Sequence, residues 1–347
     1  TVERAKASDA FLKALEDGIG NTPGGLVERA FAMEMLDKNK EAIELYSKSL
    51  EKEPSSKFAN FRLMLLLAPS DVDKAAVCFS KCMSGTGMNM PDSLNILLSQ
   101  INSPSKRLDY IPFLCKIVES DAFNKDALLT GASPVFAVNT IFETLSNESY
   151  EGNEQIPALF TKRKPGSLSE ATERLLQRRQ ELYLKLCESC IKSDALAELG
   201  FQRKRALLEA TGTSPDDALY AQAKEVFRRA ASAPDTGIRI QEITSRGKVS
   251  PLQDFLISYA ATHSLQADLK AFAQSLPDDS GEAILKRFAF AESLQSCPPE
   301  DFIKTVNALV DKELAEANPS WDSIDSALYG AIDARAKRGL KDSLTPI

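Results

Sequence analysis

Residues 42–50 read AIELYSKSL, and residues 75–83, thirty-three positions on, read AAVCFSKCM. A small residue, an aromatic ring, Ser-Lys, another small residue and a bulky apolar residue fall at matching places. In each stretch the ring and the final apolar residue are four apart, which puts them on one face of a helix. The small residues, Ala42 and Ser49 in the first stretch and Ala75 and Cys82 in the second, fall where a partner helix can cross closely. The pattern reads as two copies of one helical unit.

Working outward, apolar residues recur three and four apart along most of the chain, interrupted by Gly, Pro, Asn, Asp and Ser clusters. Alternating apolar and polar runs with hairpin dipeptides are scarce. Helices are expected at about 2–16, 25–36, 40–52, 57–68, 71–83, 91–101, 105–120, 133–146, 168–193, 195–210, 216–232, 251–262, 265–275, 281–296, 299–316 and 321–338. The fold class is all-α, with antiparallel helix pairs. GIGNTPGG at 18–25 and SGTGMNMPDS at 84–93 are the clearest breaks in the N-terminal part. The longest irregular stretch, NESYEGNEQIPALFTKRKPGS at 147–167, is the best internal boundary. It divides a helical-repeat region, 1–150, from a second all-α region, 167–347, through a linker over 151–166. Ser167 and Glu170 then read as a capping box before a long helix. TSRGKVSP at 244–251 is a further, shorter break.

The stretch 23–56 resembles a tetratricopeptide repeat, a helix–turn–helix unit of about 34 residues. Leu26, Ala30 and Met33 match its first helix; Ala42, Tyr46, Ser49 and Leu50 match its second, and Pro54 follows as the stop. In the next unit Ala75, Phe79, Cys82 and Met83 match the second helix, and Ala59 and Leu63 stand in on the first. AQAKEVFRRAASAPD echoes the pattern again, through Ala223, Phe227 and Ala230 with Pro234 beyond. FIKTVNALVDKELAEANP is a further echo. One such unit cannot bury its apolar face alone, so neighbours must stack on it. The resemblance implies an α-solenoid and a role as an interaction scaffold, adaptor, co-chaperone or assembly factor, with a partner peptide or helix held on the first helices. Phe31, Glu34, Lys57 and Asn60 are the residues expected to line that surface. The lysine and asparagine with which many of these proteins clamp a chaperone's terminal carboxylate are replaced here by Val27 and Phe31, so that use is not expected.

Charge gives a second candidate surface. The chain is acidic, with a formal charge of −7 and pI near 5.1, which argues against general nucleic-acid binding. Its middle is nonetheless rich in cations: Lys162, Arg163, Lys164, Arg174, Arg178, Arg179, Arg203, Lys204, Arg205, Arg228 and Arg229. Arg174 and Arg178 are one helical turn apart, among Glu170, Glu173 and Glu181. A solvated helix face accounts for the run; a docking surface for an acidic protein segment is the sharper reading, because guanidinium groups fit carboxylates. RNA is a lesser alternative, with only Phe160, Tyr183 and Phe201 nearby for stacking.

Signals for catalysis are few. His263 is the only histidine and reads as a residue near a helix end. Cys187 and Cys190 form a C-x-x-C inside a long helix, without the second pair a zinc site needs; Cys78 and Cys82 are four apart, and both pairs read as packing. No Walker loop or dinucleotide fingerprint occurs. No catalytic residue, cofactor or metal is expected; an all-α enzyme with a site of carboxylates and arginines from distant helices is the rival reading, and a structural subunit of a larger complex another. Six cysteines in 347 residues, mostly within apolar helical patterns, fit a reducing compartment. No apolar run approaches the roughly 18–20 residues that span a bilayer. The expected location is intracellular, in the cytoplasm, with an organelle open because the chain starts at Thr1 and not at Met.

Overall fold

The computed structural model of the protein describes residues 13–14, 17–18, 20–83, 104–121, 123–124, 132–147, 149–151, 154–161, 166, 168–232, 251–276, 281, 284–285, 288–289 and 301–315. The expected helices at 91–101 and 321–338 lie outside these residues, and those at 2–16 and 281–296 lie largely outside them. The chain divides into two compact units, Thr1–Ala195 and Leu196–Ile347.

The first unit begins with two helix pairs. Helices α1 (Pro23–Met35) and α2 (Asn39–Lys52) form the first, α3 (Lys57–Leu67) and α4 (Val72–Met83) the second. Thr22 caps α1, its hydroxyl accepting a hydrogen bond from the Gly25 amide at 3.1 Å, and Pro23 takes the first helical position, where a missing amide costs nothing. Ser56, 34 residues on, caps α3 in the same way through the Ala59 amide. Asp37 ends the first turn at φ 59°, and the Lys38 amide returns to the Met33 carbonyl. Three residues join α1 to α2 and four join α3 to α4, so each pair must fold back on itself.

The small residues sit at the crossings. Ala30, Ala42, Ala59 and Ala75 are wholly buried, and Tyr46 and Phe79 pack beside them. Near the end of α2 the Ser49 hydroxyl donates to the carbonyl of Pro23, the first residue of α1, at 2.9 Å. Near the end of α4 the Cys82 thiol donates to the carbonyl of Lys57, the first residue of α3, at 3.6 Å. The same contact thus recurs one unit later and shows both pairs to be antiparallel. Along the row, α2 packs on α3, and α4 on α5 (Pro104–Val118). Phe79 meets Phe113 edge-on at 6.0 Å, and the Lys116–Asp73 ion pair joins the end of α5 to the start of α4.

Beyond α5 and α6 (Ala132–Ser146) the chain forms a small antiparallel hairpin, β1 (Ser149–Glu151) with β2 (Glu154–Ile156), in register Tyr150 to Gln155. This replaces part of the expected linker, and Ile156 and Leu159 are buried. Helix α7 (Glu170–Lys192) then returns to α5. Arg178 pairs with Asp109 at 2.6 Å and Lys192 with Glu119 at 3.0 Å, so the two helices run in the same direction. Tyr183 meets Phe142 of α6 at 5.0 Å. These contacts hold α7 in the first unit, which is why the division falls after residue 195 and not within 151–166. The cap of α7 is Ser169, bonded to the Thr172 amide, two residues later than expected.

The second unit contains α8 (Ala197–Thr211), α9 (Asp217–Ser232), α10 (Pro251–Thr262), α11 (Gln266–Gln274) and α12 (Phe302–Leu314). Gly212, at φ 78°, closes α8, with the Thr213 amide returning to the Leu208 carbonyl. Aromatic contacts join the helices: Phe201 with Phe255, Tyr220 with Tyr259, Phe227 with Phe272. Ala223 and Phe227 are buried, but Ala230 is exposed, so the later echo of the repeat lacks the buried small residue that Ser49 and Cys82 supply. The protein is all-α, and its first unit begins with two antiparallel helix pairs packed in order. Among the described residues no helix is long and apolar enough to cross a membrane.

Ser49→Ala should lower stability by about 0.5–1.5 kcal/mol, because it removes the side-chain hydrogen bond that joins the end of α2 to the Pro23 carbonyl. Chemical denaturation followed by circular dichroism checks this; Ser80→Ala, which removes an exposed hydroxyl from α4, should change it by less than about 0.5 kcal/mol.

Candidate interaction surface on the first helices

On the side of the two pairs formed by their first helices, α1 and α3, three large apolar residues reach solvent. Phe31 is 38 % exposed, Phe58 50 % and Met35 69 %. Phe31 and Phe58 come from different pairs and meet edge-on, with ring centroids 6.0 Å apart and planes at 63°. Beside them Glu34 of α1 binds Arg62 of α3: Arg62 Nε donates to Glu34 Oε2 at 3.0 Å, and Nη2 donates to Oε1. The Tyr46 hydroxyl donates to the same carboxylate from α2 at 3.3 Å. The Arg62 guanidinium carbon lies 5.3 Å from the Phe31 ring centroid. Burial first, then the Glu34 carboxylate, raises the ionisation of Tyr46 far above that of an ordinary phenol. The phenol is therefore a fixed donor at neutral pH.

Of the four residues expected on this surface, Phe31 and Glu34 come together and Lys57 is half-buried at the start of α3. Asn60 is a correction. It is wholly buried, and its amide nitrogen donates to the Pro54 and Ser56 carbonyls at 3.0 and 2.8 Å. Asn60 fastens the loop before α3 to its first turn, because its amide nitrogen has two hydrogens and gives one to each carbonyl. Phe58, Met35 and Arg62 were not anticipated. Phe58 follows the start of a unit whose sequence match was loose, so its face could not be assigned from spacing.

The central cations fare differently. Lys162, Arg163 and Lys164 lie outside the described residues. Arg174 pairs with Glu170 one turn away, and Arg178 with Asp109. Arg179 is only 3 % exposed and donates to the Asn147 carbonyl at 3.0 Å, tying α7 to the end of α6; it is a packing residue and does not line an open surface. In the second unit Arg205 pairs with Glu209 and lies over Phe255, Arg228 pairs with Glu225 and lies over Phe272, and Lys224 pairs with Asp268 and lies over Tyr220. Lys204 donates to Gln222 at 2.8 Å, and Arg203 is half-buried. Much of this positive charge is matched within the chain.

The described cysteines are packed in the interior. Cys78, Cys82, Cys115, Cys187 and Cys190 are free and buried. Burial raises Cys78 and Cys115, pushes Cys82 up to about 12 and carries Cys190 well above an ordinary thiol, so these thiols stay protonated at neutral pH. Among the described residues no group of histidine, cysteine and carboxylate side chains could hold a metal ion. His263 lies just past the end of α10; its imidazole stacks on Tyr259 at 3.9 Å, and Nδ1 is 3.0 Å from the Tyr259 carbonyl. No family model, curated protein or solved structure matches the chain.

Two outcomes test these placements. Arg179→Ala should cost about 1–3 kcal/mol of stability and Arg174→Ala less than about 0.5 kcal/mol, measured by thermal or denaturant unfolding. Alkylation by iodoacetamide at pH 8, mapped by mass spectrometry, should leave Cys78, Cys82, Cys115, Cys187 and Cys190 unmodified until denaturant is added.

Proposed function

We propose that this protein is a non-catalytic interaction scaffold, tetratricopeptide-like in its N-terminal part, which holds a peptide or helix of a partner protein on the α1–α3 face. The observation that carries this reading is the exposed Phe31–Phe58 contact between the first helices of two successive pairs. Two pairs with the same caps and the same crossing contact place their first helices side by side. Rigid aromatic groups on such a face supply contact area at little ordering cost.

The chemistry of the face favours an apolar anchor. Glu34 and Arg62 neutralise each other, which leaves Phe31, Phe58 and Met35 as the available surface. A partner should therefore present Leu, Met or aromatic side chains, spaced as on one face of a helix. An acidic partner or RNA on the central cations draws less support, since Arg174, Arg178, Arg205 and Arg228 each meet a carboxylate of their own chain. A permanent place in a larger complex would use the same face and differs in lifetime, which size-exclusion chromatography of the native protein reads directly.

The test begins with affinity purification of the native protein and identification of the partner that co-elutes. Calorimetry with that partner should then show Phe31→Ala and Phe58→Ala each weakening binding about tenfold or more, with helicity unchanged. Raising salt from about 0.1 M to about 0.5 M should change affinity little, because the anchors carry no charge. Unaltered affinity in both variants would remove this face from the proposal.

A further inference from the structure

The α1–α3 face has an internal support that the ligand does not supply. Glu34 is held from two directions: Arg62 of α3 grips both of its oxygens, and Tyr46 of α2 donates to Oε2. Glu34 and Arg62 are only 14 % and 15 % exposed along their side chains, so water screens the pair weakly. Arg62 lies over the Phe31 ring, and that ring meets Phe58 in a T-shaped contact. Nearby, the Tyr110 hydroxyl of α5 donates to the Leu65 carbonyl of α3 at 2.8 Å, steadying the helix that carries Arg62. The carboxylate thus fixes the guanidinium, the guanidinium fixes the first ring, and the first ring meets the second. Side chains, and not main-chain hydrogen bonds, make this link between α1 and α3.

We propose that Glu34 and Arg62 form a clasp between successive helix pairs that sets the Phe31–Phe58 face in its binding arrangement before any partner arrives. This inference rests on the scaffold reading for its functional meaning. Glu34 is then a positioning residue and not a contact: its carboxylate is occupied by Arg62 and Tyr46, and it acts on the partner through the rings. A bidentate guanidinium–carboxylate pair suits such a role, because its two parallel bonds fix orientation as well as distance. A face set in advance spares the partner the cost of ordering two aromatic side chains.

The test is made on the full chain without ligand, so that it stands apart from the scaffold reading. Phenylalanine is replaced by fluorophenylalanine, and the Phe31 and Phe58 signals in the fluorine NMR spectrum are assigned with Phe31→Leu and Phe58→Leu. In Glu34→Gln and in Arg62→Met both signals should shift or broaden while the signals of buried Phe79 and Phe113 stay in place. Lys74→Met, which breaks the exposed pair with Asp71, should leave all four unchanged. Circular dichroism confirms that each variant remains helical, and if one does not, the other decides. Unmoved Phe31 and Phe58 signals in a folded variant overturn the clasp, even if that variant melts earlier, because a purely stabilising pair would lower the melting temperature without releasing the rings. The scaffold reading fails separately, if Phe31→Ala and Phe58→Ala bind the partner as the native protein does.

Discussion

The close crossing of paired helices, sealed at Ser49 and again at Cys82, is the constraint on which the first unit depends. Each residue donates to the carbonyl of the first residue of the preceding helix. That carbonyl already accepts the first intrahelical bond of its own helix, and the side-chain donor from the partner helix uses its second lone pair. A small side chain with a donor does two things at once: it lets the backbones approach, and it adds a hydrogen bond across the crossing. Serine does this with a short, strong bond and cysteine with a longer, weaker one, because a thiol is a larger and poorer donor than a hydroxyl. The caps at Thr22 and Ser56 fix where each first helix starts, and hence which carbonyl lies under the donor.

Stacking follows from this pairing. Two antiparallel helices leave an apolar side that they cannot cover themselves. Helix α3 covers α2, and α5 covers α4 through Phe79 and Phe113. The order of packing is the order of the chain as far as α5. There it changes: α7 packs beside α5 in the same direction, with α6 and the hairpin meeting it through Phe142 and Ile156. The first unit thus starts as a row of pairs and ends with a crossover of chain. Arg179, bound to a carbonyl at the end of α6, is one of the fastenings of that crossover.

The α1–α3 face is a by-product of the same order. Because α2 packs against both first helices, α1 and α3 become neighbours, and long side chains bridge the space between them. Charged and aromatic groups there play separate parts. Glu34, Arg62 and Tyr46 satisfy one another, and Phe31 and Phe58 remain half in water. Such a division leaves an apolar surface whose nearby charges are already matched. The same economy governs the second unit, where arginines and lysines lie over Phe255, Phe272 and Tyr220 while their charges meet carboxylates close by.

The sequence alone determined the helices and their pairing. Period-3.6 spacing, the caps and the glycine and proline breaks are local, so α1 to α12 fall within a few residues of expectation. The small-residue positions Ala42, Ser49, Ala75 and Cys82 were legible because a crossing tolerates nothing larger. The 34-residue spacing of Thr22 and Ser56 is within one residue of the 33-residue repeat and could have strengthened it, and Gly152–Asn153 between β1 and β2 is a dipeptide of the hairpin class. What only the tertiary structure decided is which side chains face each other across helices. Asn60 turns inward to the Pro54 carbonyl of the preceding loop, and Arg179 is buried against the Asn147 carbonyl 32 residues away. Arg178 found Asp109, 69 residues away, and Tyr183, Leu186, Cys187 and Cys190 of α7 are wholly buried. Spacing along a chain reports the face a residue occupies on its own helix; the partner on that face is set by packing, and packing is not local.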